Sequence, residues 1–206
     1  KPVNVMGMTK ALQERIFISA NILQPATRYI GVRYGNVLAS RGSVIPLFHE
    51  QIRHGGPLTI TVPGMTRFLL SLNQAVDTVF AAIKGAQPGE IYVPNAPAAT
   101  VINLAKALIG KRKIKLREIG MRPGEKLHEI MVSDEEAQYC VARGRFYAIK
   151  SMLPELAGRR SEANPLDGEF SSASTVLDYA GTVALLKQHS LLIGDKVQWD
   201  DGELLR

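Results

Sequence analysis

The chain has 206 residues, a formal net charge of +6, 46% hydrophobic and 21% charged residues. That length can bury a full core. No apolar run reaches the roughly 18 residues that span a membrane, and a single cysteine, Cys140, excludes an internal disulfide framework or a multi-cysteine zinc site. The expectation is a protein of the reducing cytoplasm with no membrane segment. The basic residues are scattered, apart from Lys111-Arg112-Lys113 and Arg159-Arg160, and do not interleave with aromatics as in single-strand binders. Nucleic acid is therefore disfavoured, and a small anion such as a nucleotide or diphosphate suits scattered arginines better. A basic solvated surface would give the same charge.

Residues 7–20 read as a helix with Leu12, Ile16 and Ala20 on one stripe. Residues 28–33 (Arg-Tyr-Ile-Gly-Val-Arg) read as a short strand, 34–43 as a loop of small and polar residues, and 44–53 as a helix apolar at Val44, Leu47, Phe48 and Ile52. Gly55-Gly56-Pro57 stops that helix. A strand follows at 58–62, closed by Pro63-Gly64. Asn73 stands where it could cap a helix to 84, with Ala75, Val76, Val79, Phe80 and Ile83 inward. Next come a strand at 90–93, a helix capped by Thr100 and running through 108, and a strand at 114–119. The Arg122-Pro123-Gly124 turn leads into a short helix at 126–131, and Ser133 with Glu136 forms a capping-box pattern. Residues 159–174 read as an exposed connection, 177–188 as the last helix and 195–206 as a polar end. The alternation of strands and helices implies an α/β fold.

Four segments could carry chemistry. Met6 and Lys10 are four residues apart, hence on one face of a helix, and Gly7 and Thr9 leave room for a ligand. A lysine so displayed can hold a nucleotide ribose, although most surface lysines are merely solvated. In Arg33-Tyr34-Gly35-Asn36 and Arg41-Gly42-Ser43, a strand runs into small residues and then a helix start, where α/β folds bind ligands. There Asn36 can donate to a phosphate or sugar hydroxyl, and Arg41 and Ser43 can meet an anion. Arg67, beside Phe68, can reach a diphosphate or stack on a base, or simply snorkel at a core edge. Arg122 can pair with phosphate and Glu125 accept from ribose hydroxyls. The histidines form no metal-ligand pattern, and His128-Glu129 lacks a second histidine at helical spacing.

Six ordered blocks resemble one family: Asn4-Val5-Met6-Gly7-Met8-Thr9-Lys10, Arg33-Tyr34-Gly35-Asn36-Val37, Ser40-Arg41-Gly42-Ser43-Val44-Ile45-Pro46, Met65-Thr66-Arg67-Phe68, Ala96-Pro97-Ala98-Ala99-Thr100 and Arg122-Pro123-Gly124-Glu125-Lys126. They are similar to the capsule and O-antigen UDP-N-acetylglucosamine 4,6-dehydratases, which are extended short-chain dehydrogenase/reductases. The likeness covers residues 2–154, with a weaker echo at 170–191. It is greatest for the branch that also inverts C5.

The resemblance implies a C-terminal part of a Rossmann-like α/β fold with the sugar-nucleotide subdomain. Residues 1–158 would be a partial Rossmann-like core interwoven with that subdomain, and 159–206 an extension with one helix. The implied chemistry is oxidation at sugar C4 by bound NAD or NADP, loss of water across C5 and C6, and return of the hydride to C6. By the resemblance Lys10 binds the nicotinamide ribose, and the backbone of Tyr34 lies near the nicotinamide. Asn36, Arg41, Ser43, Arg67, Arg122 and Glu125 match UDP-sugar contacts. Met6 stands where most of the superfamily has its catalytic tyrosine, and a thioether cannot exchange a proton. The resemblance assigns that work to an Asp-Lys pair ahead of Lys1, and the cofactor pyrophosphate to a glycine-rich turn also ahead of it. The expectation is that the 206 residues alone are inactive, while the parent enzyme is a homo-oligomer. The alternatives are a non-catalytic UDP-sugar-binding module or remnant, and a 4-epimerase, which Met6 disfavours.

Overall fold

A computed structural model describes residues 2–156 and 164–194. The chain divides into two compact units whose segments alternate along the sequence. Unit 1 holds Lys1–Tyr34, Leu72–Ala96 and Ile130–Ser171, and unit 2 holds Gly35–Ser71, Pro97–Glu129 and Ser172–Arg206.

In unit 1 the helix α1 (Val5–Leu23) starts at Asn4, whose side chain accepts the Gly7 N–H at 2.8 Å. It leads to β1 (Gly31–Val32), then α3 (Leu72–Gly85), β4 (Ile91–Pro94), β7 (Ile130–Val132), α5 (Asp134–Ala137), β8 (Cys140–Arg143), β9 (Phe146–Ile149) and β10 (Phe170–Ser171). The main sheet has the order β1-β4-β9-β8, with β1 parallel to β4 and the other pairs antiparallel. β7 and β10 form a separate antiparallel pair. The α3 side of the sheet is packed with small residues: Ala82 and Ala86 meet Tyr92, Val141 and Ala148.

Unit 2 contains α2 (Val44–Arg53), β2 (Leu58–Ile60), β3 (Thr66–Phe68), β5 (Ala98–Thr100), α4 (Val101–Ile109), β6 (Leu116–Glu118), β11 (Val176–Leu177) and α6 (Tyr179–Gln188). Its sheets are β11-β5-β3 and a parallel β2-β6 pair. Thr100 caps α4 by accepting the Asn103 N–H, and Asp178 caps α6 by accepting the Gly181 N–H. α2, α4 and α6 enclose one core of Ile45, Phe48, Ile52, Leu104, Leu108 and Leu186, each close to fully buried and each worth ~1.5–3 kcal/mol relative to exposure.

Several expectations are corrected. The apolar stripe that helical spacing marks on α1 lies largely exposed, Leu12 at 63% and Ile16 at 57%, and the residues that α1 buries are Ile18 and Asn21. Asn21 is held by its own bonds, donating to the carbonyls of Ile18 and Tyr29 and accepting the Tyr29 N–H. On α3 the buried residues are Ala75, Thr78 and Ala82, while Val76, Val79, Phe80 and Ile83 are exposed. Residues 126–131 form no helix; Ile130 to Val132 is strand because β10 pairs with it. The expected connection at 159–174 contains that strand, with Phe170 buried. Its residues 159–163, like the polar end at 195–206, lie outside the described residues. The strand expected over 28–33 is regular only at Gly31–Val32.

Candidate functional site

The sequence-marked residues fall into two sets, one per unit. Met6, Lys10 and Tyr34 belong to unit 1, and Asn36, Arg41, Ser43, Arg67, Arg122 and Glu125 all belong to unit 2. Met6 is 73% exposed, and Lys10 and Tyr34 are exposed as well. Thr9 Oγ1 donates back to the Met6 carbonyl at 2.8 Å, and Lys10 Nζ donates to Gln13 Oε1 at 3.1 Å. Met6 and Lys10 thus share an open face in the first turns of α1.

The position of α1 is set by contacts among Arg33, Glu14 and Glu136 that sequence reading did not foresee. Arg33, just beyond β1, donates through Nε to Glu14 Oε2 at 2.7 Å and through Nη2 to Glu14 Oε1 at 2.6 Å. It also donates through Nη1 and Nη2 to the two oxygens of Glu136, each at 2.8 Å, and through Nη1 to the Met131 carbonyl at 2.8 Å. Every N–H of the guanidinium is therefore used. Burial opposes the charge on Arg33, but the hydrogen bonds and charges of Glu136 and Glu14 outweigh it and raise its pKa. Burial likewise opposes ionisation of Glu136, yet Arg33, aided by Ser133, brings that carboxyl down to about 2. Arg15 adds a second cation 3.5 Å from Glu136. Glu14 lies one helical turn after Lys10, so this clamp acts on the stretch of helix that displays the lysine.

In unit 2, Asn36 adjoins an isolated parallel bridge between Val37 and Leu70: its carbonyl accepts the Leu70 N–H, and the Leu38 N–H donates to the Leu70 carbonyl at 2.8 Å. The loop that follows turns twice into left-handed backbone, at Ala39 (φ 58°) and Gly42 (φ 72°), before α2 begins. Glycine suits the second position because it lacks the Cβ that penalises that region. Ser43 is the N-cap of α2, but its hydroxyl caps nothing: Oγ is buried and makes no hydrogen bond among the described residues. A buried polar group without a partner is uncommon, and this one sits at the positive end of a helix.

Arg67 comes from β3. Its side chain is only 14% exposed, with Nε 3.7 Å from Glu129 Oε1. Nη1 donates to the Thr66 carbonyl at 2.7 Å and to the Leu127 carbonyl at 3.3 Å. Nη2 donates to nothing among the described residues. Burial lowers the pKa of Arg67, and the charges of Glu129 and Glu125 oppose this. Glu125 accepts the Arg122 N–H at 3.0 Å, closing the turn that Gly124 (φ 81°) permits, and the Arg122 guanidinium is exposed. Unit 2 thus offers cationic side chains, a helix N-terminus and an unsatisfied hydroxyl, a donor set suited to phosphate oxygens. Sequence reading missed Thr66, His128 and Ser172 around Arg67. No local signal marks them, since their contacts span over 60 residues.

The family profile described as "Polysaccharide biosynthesis protein" matches residues 1–151. The protein named UDP-glucose 4-epimerase in Rickettsia bellii is 47% identical over 194 residues, covering 92% of this chain and 52% of its own. The chain spans about half the length of the curated relatives it matches. The X-ray structure of Pen from Bacillus thuringiensis superposes with a TM-score of 0.83 at 31% identity, over 93% of this chain and 60% of that one. dTDP-glucose 4,6-dehydratase from Bacillus anthracis, in complex with NAD, shares the fold at a TM-score of 0.52 and 17% identity, over 60% of this chain and 42% of that one. The rickettsial relative is thus named a nucleotide-sugar epimerase and the Bacillus anthracis neighbour a nucleotide-sugar dehydratase, and among the described residues no helix is long and apolar enough to cross a membrane. The fold is the mixed α/β Rossmann-like fold of the extended short-chain dehydrogenase/reductases, and the chain belongs to the family of polysaccharide biosynthesis proteins.

Proposed function

We propose that the chain forms the substrate-binding and lysine-bearing part of a nucleotide-sugar 4,6-dehydratase that acts on UDP-N-acetylglucosamine in the cytoplasm, as a step in surface-polysaccharide synthesis. The observation that carries this reading is a pair of donors without a protein partner among the described residues, the buried Ser43 Oγ and Arg67 Nη2, on the unit that also bears Asn36, Arg41, Arg122 and Glu125. Oxygens of a diphosphate would satisfy both. Arg41 and Arg122, both exposed, would add charge, and Glu125 would accept from the ribose. Within the family expectation, unit 2 is the substrate subdomain woven into a partial Rossmann-like core.

A nicotinamide cofactor, NAD or NADP, would supply the oxidising partner for sugar C4. The residues of unit 1 fit such a group: Lys10 is an exposed cation whose hydrogen bond to Gln13 is a surface contact, and it shares its face with Met6. Lys10 would hold the ribose hydroxyls, and Tyr34 would border the nicotinamide through its backbone. Met6 cannot exchange a proton, so acid–base work falls to other residues of the longer, homo-oligomeric protein.

A second reading, UDP-glucose 4-epimerase, is favoured by the names of the rickettsial relatives. Met6 stands against it, because that chemistry uses the tyrosine that the methionine replaces.

Calorimetric titration of the 206-residue chain with UDP and UDP-N-acetylglucosamine tests the binding half: saturable binding is expected, weakened at least ~10-fold by Arg67→Ala. Incubating the longer polypeptide with UDP-N-acetylglucosamine should yield a 4-keto sugar, and Lys10→Ala should abolish it. Conversion of UDP-glucose to UDP-galactose without a 4-keto product would replace the dehydratase reading with the epimerase one.

A further inference from the structure

Arg67 is held by three groups, the Thr66 and Leu127 carbonyls that accept from Nη1 and the Glu129 carboxylate beside Nε. One buried residue, distant in sequence, bonds both the Thr66 carbonyl and the backbone of Glu129. Ser172 is 0% exposed. Its Oγ lies 2.7 Å from Thr66 Oγ1, reaches the Thr66 carbonyl at 3.2 Å, and accepts the Glu129 N–H at 2.9 Å. Its own N–H donates to the Glu129 carbonyl at 2.7 Å. Thr66 Oγ1 in turn lies 2.8 Å from His128 Nδ1, and the Thr66 N–H donates to the Leu127 carbonyl at 3.0 Å. A chain of hydroxyls therefore joins His128, Thr66 and Ser172 and ends on the backbone of Glu129.

We propose that Ser172, Thr66 and His128 are positioning residues for Arg67, holding its guanidinium so that the Nη2 edge is presented to the diphosphate of a nucleotide sugar. The inference rests on the reading of Arg67 as a diphosphate contact. Thr66 and Ser172 are too buried to touch a ligand, so they act through Arg67. The geometry favours this role. If the segment at 127–129 only had to pack against β3, apolar side chains of similar volume would serve as well. Here the Ser172 hydroxyl instead engages the Thr66 carbonyl at one end and the Glu129 N–H at the other, and the Thr66 hydroxyl ties it to His128. The arginine side chain is only 14% exposed, yet its Nη2 edge donates to nothing among the described residues, and a fixed orientation of that edge has value for recognition.

The test is a double-mutant cycle on the 206-residue chain, read by calorimetric titration with UDP and, by ligand-observed NMR, with uridine, which lacks phosphate. Ser172→Ala should weaken UDP binding by ~5–10-fold and leave uridine binding within about twofold. In the Arg67→Ala background the same change should have no further effect on UDP, because the group it positions is gone. Thr66→Ser, which keeps the hydroxyl, should bind UDP like the wild type, whereas Thr66→Val should not. His128 is half-buried, so His128→Phe serves as the second probe if Ser172→Ala does not fold; it should also lower UDP affinity selectively and non-additively with Arg67→Ala. Additive effects, or equal losses for uridine and UDP, would overturn the positioning role while leaving the diphosphate reading intact. Failure of the wild-type chain to bind UDP would overturn the reading and the inference together.

Discussion

Arg33 grips Glu14 through two parallel hydrogen bonds of 2.7 and 2.6 Å, and this fork joins the end of β1 to the helix that displays Lys10. The same guanidinium makes a second fork to Glu136, so removing it strands two carboxylates at once. Breaking a mostly buried ion pair by deleting one partner costs about 3–5 kcal/mol. Arg33→Ala should therefore destabilise the chain by that much in urea unfolding. Arg33→Lys should recover little, because a point charge cannot fill two forks. A loss under about 1 kcal/mol for Arg33→Ala would show that the network does not hold α1.

Glu136 gives this network a pH signature. Its carboxyl is lowered from 4.5 to about 2 in the folded chain, so folding favours the ionised form. The stabilisation is fully present above pH ~4.5 and is lost progressively as pH falls toward 2, where both states become protonated. A shift of this size corresponds to roughly 3 kcal/mol. Glu136→Gln should lower stability at pH 7 and flatten the acid limb of a plot of unfolding free energy against pH. An unchanged acid limb in the variant would assign the acid sensitivity to other carboxylates.

Sequence reading located elements well where local chemistry decides. The α2 helix matches the expected 44–53 span because Gly55-Gly56-Pro57 cannot continue it, and Thr100 and the Ser133/Glu136 box cap the helices that were expected. It failed where tertiary partners decide. Helical spacing marks an apolar face without saying what lies on it, so the stripe of α3 was placed inward, whereas the sheet takes Ala82 and its small neighbours and the stripe of α1 stays exposed. The strand at 130–132 depends on pairing with residue 170 onward, a contact over 38 residues that no window reveals. The same holds for the candidate site. Lys10, Ser43 and Arg67 sit in short motifs, but Arg33's partners and the Ser172 network are set by folding.

The exposed stripe of α1 makes its own prediction. Leu12 and Ile16 are more than half exposed in the 206-residue chain, so little apolar burial is lost when they are replaced. Leu12→Glu and Ile16→Lys should each change the unfolding free energy by less than about 0.5 kcal/mol and should reduce self-association in analytical ultracentrifugation. Ile18→Ala, on the buried side, should cost about 2–4 kcal/mol. Equal penalties on the two sides would show that the stripe is covered in solution.

Ser43 separates binding from stability. A serine N-cap replaced by alanine usually costs about 1 kcal/mol because a hydrogen bond to the helix is lost. Here the hydroxyl makes no such bond, and alanine removes an unsatisfied buried group. Ser43→Ala should therefore leave the melting temperature unchanged or slightly raised while weakening UDP binding several-fold. The backbone N–H groups at the start of α2 are untouched by the change, so the loss should be partial, smaller than that of Arg67→Ala. Calorimetric titration alongside thermal unfolding distinguishes the outcomes. A fall in melting temperature with unchanged UDP affinity would make Ser43 a structural cap and remove it from the nucleotide-sugar site.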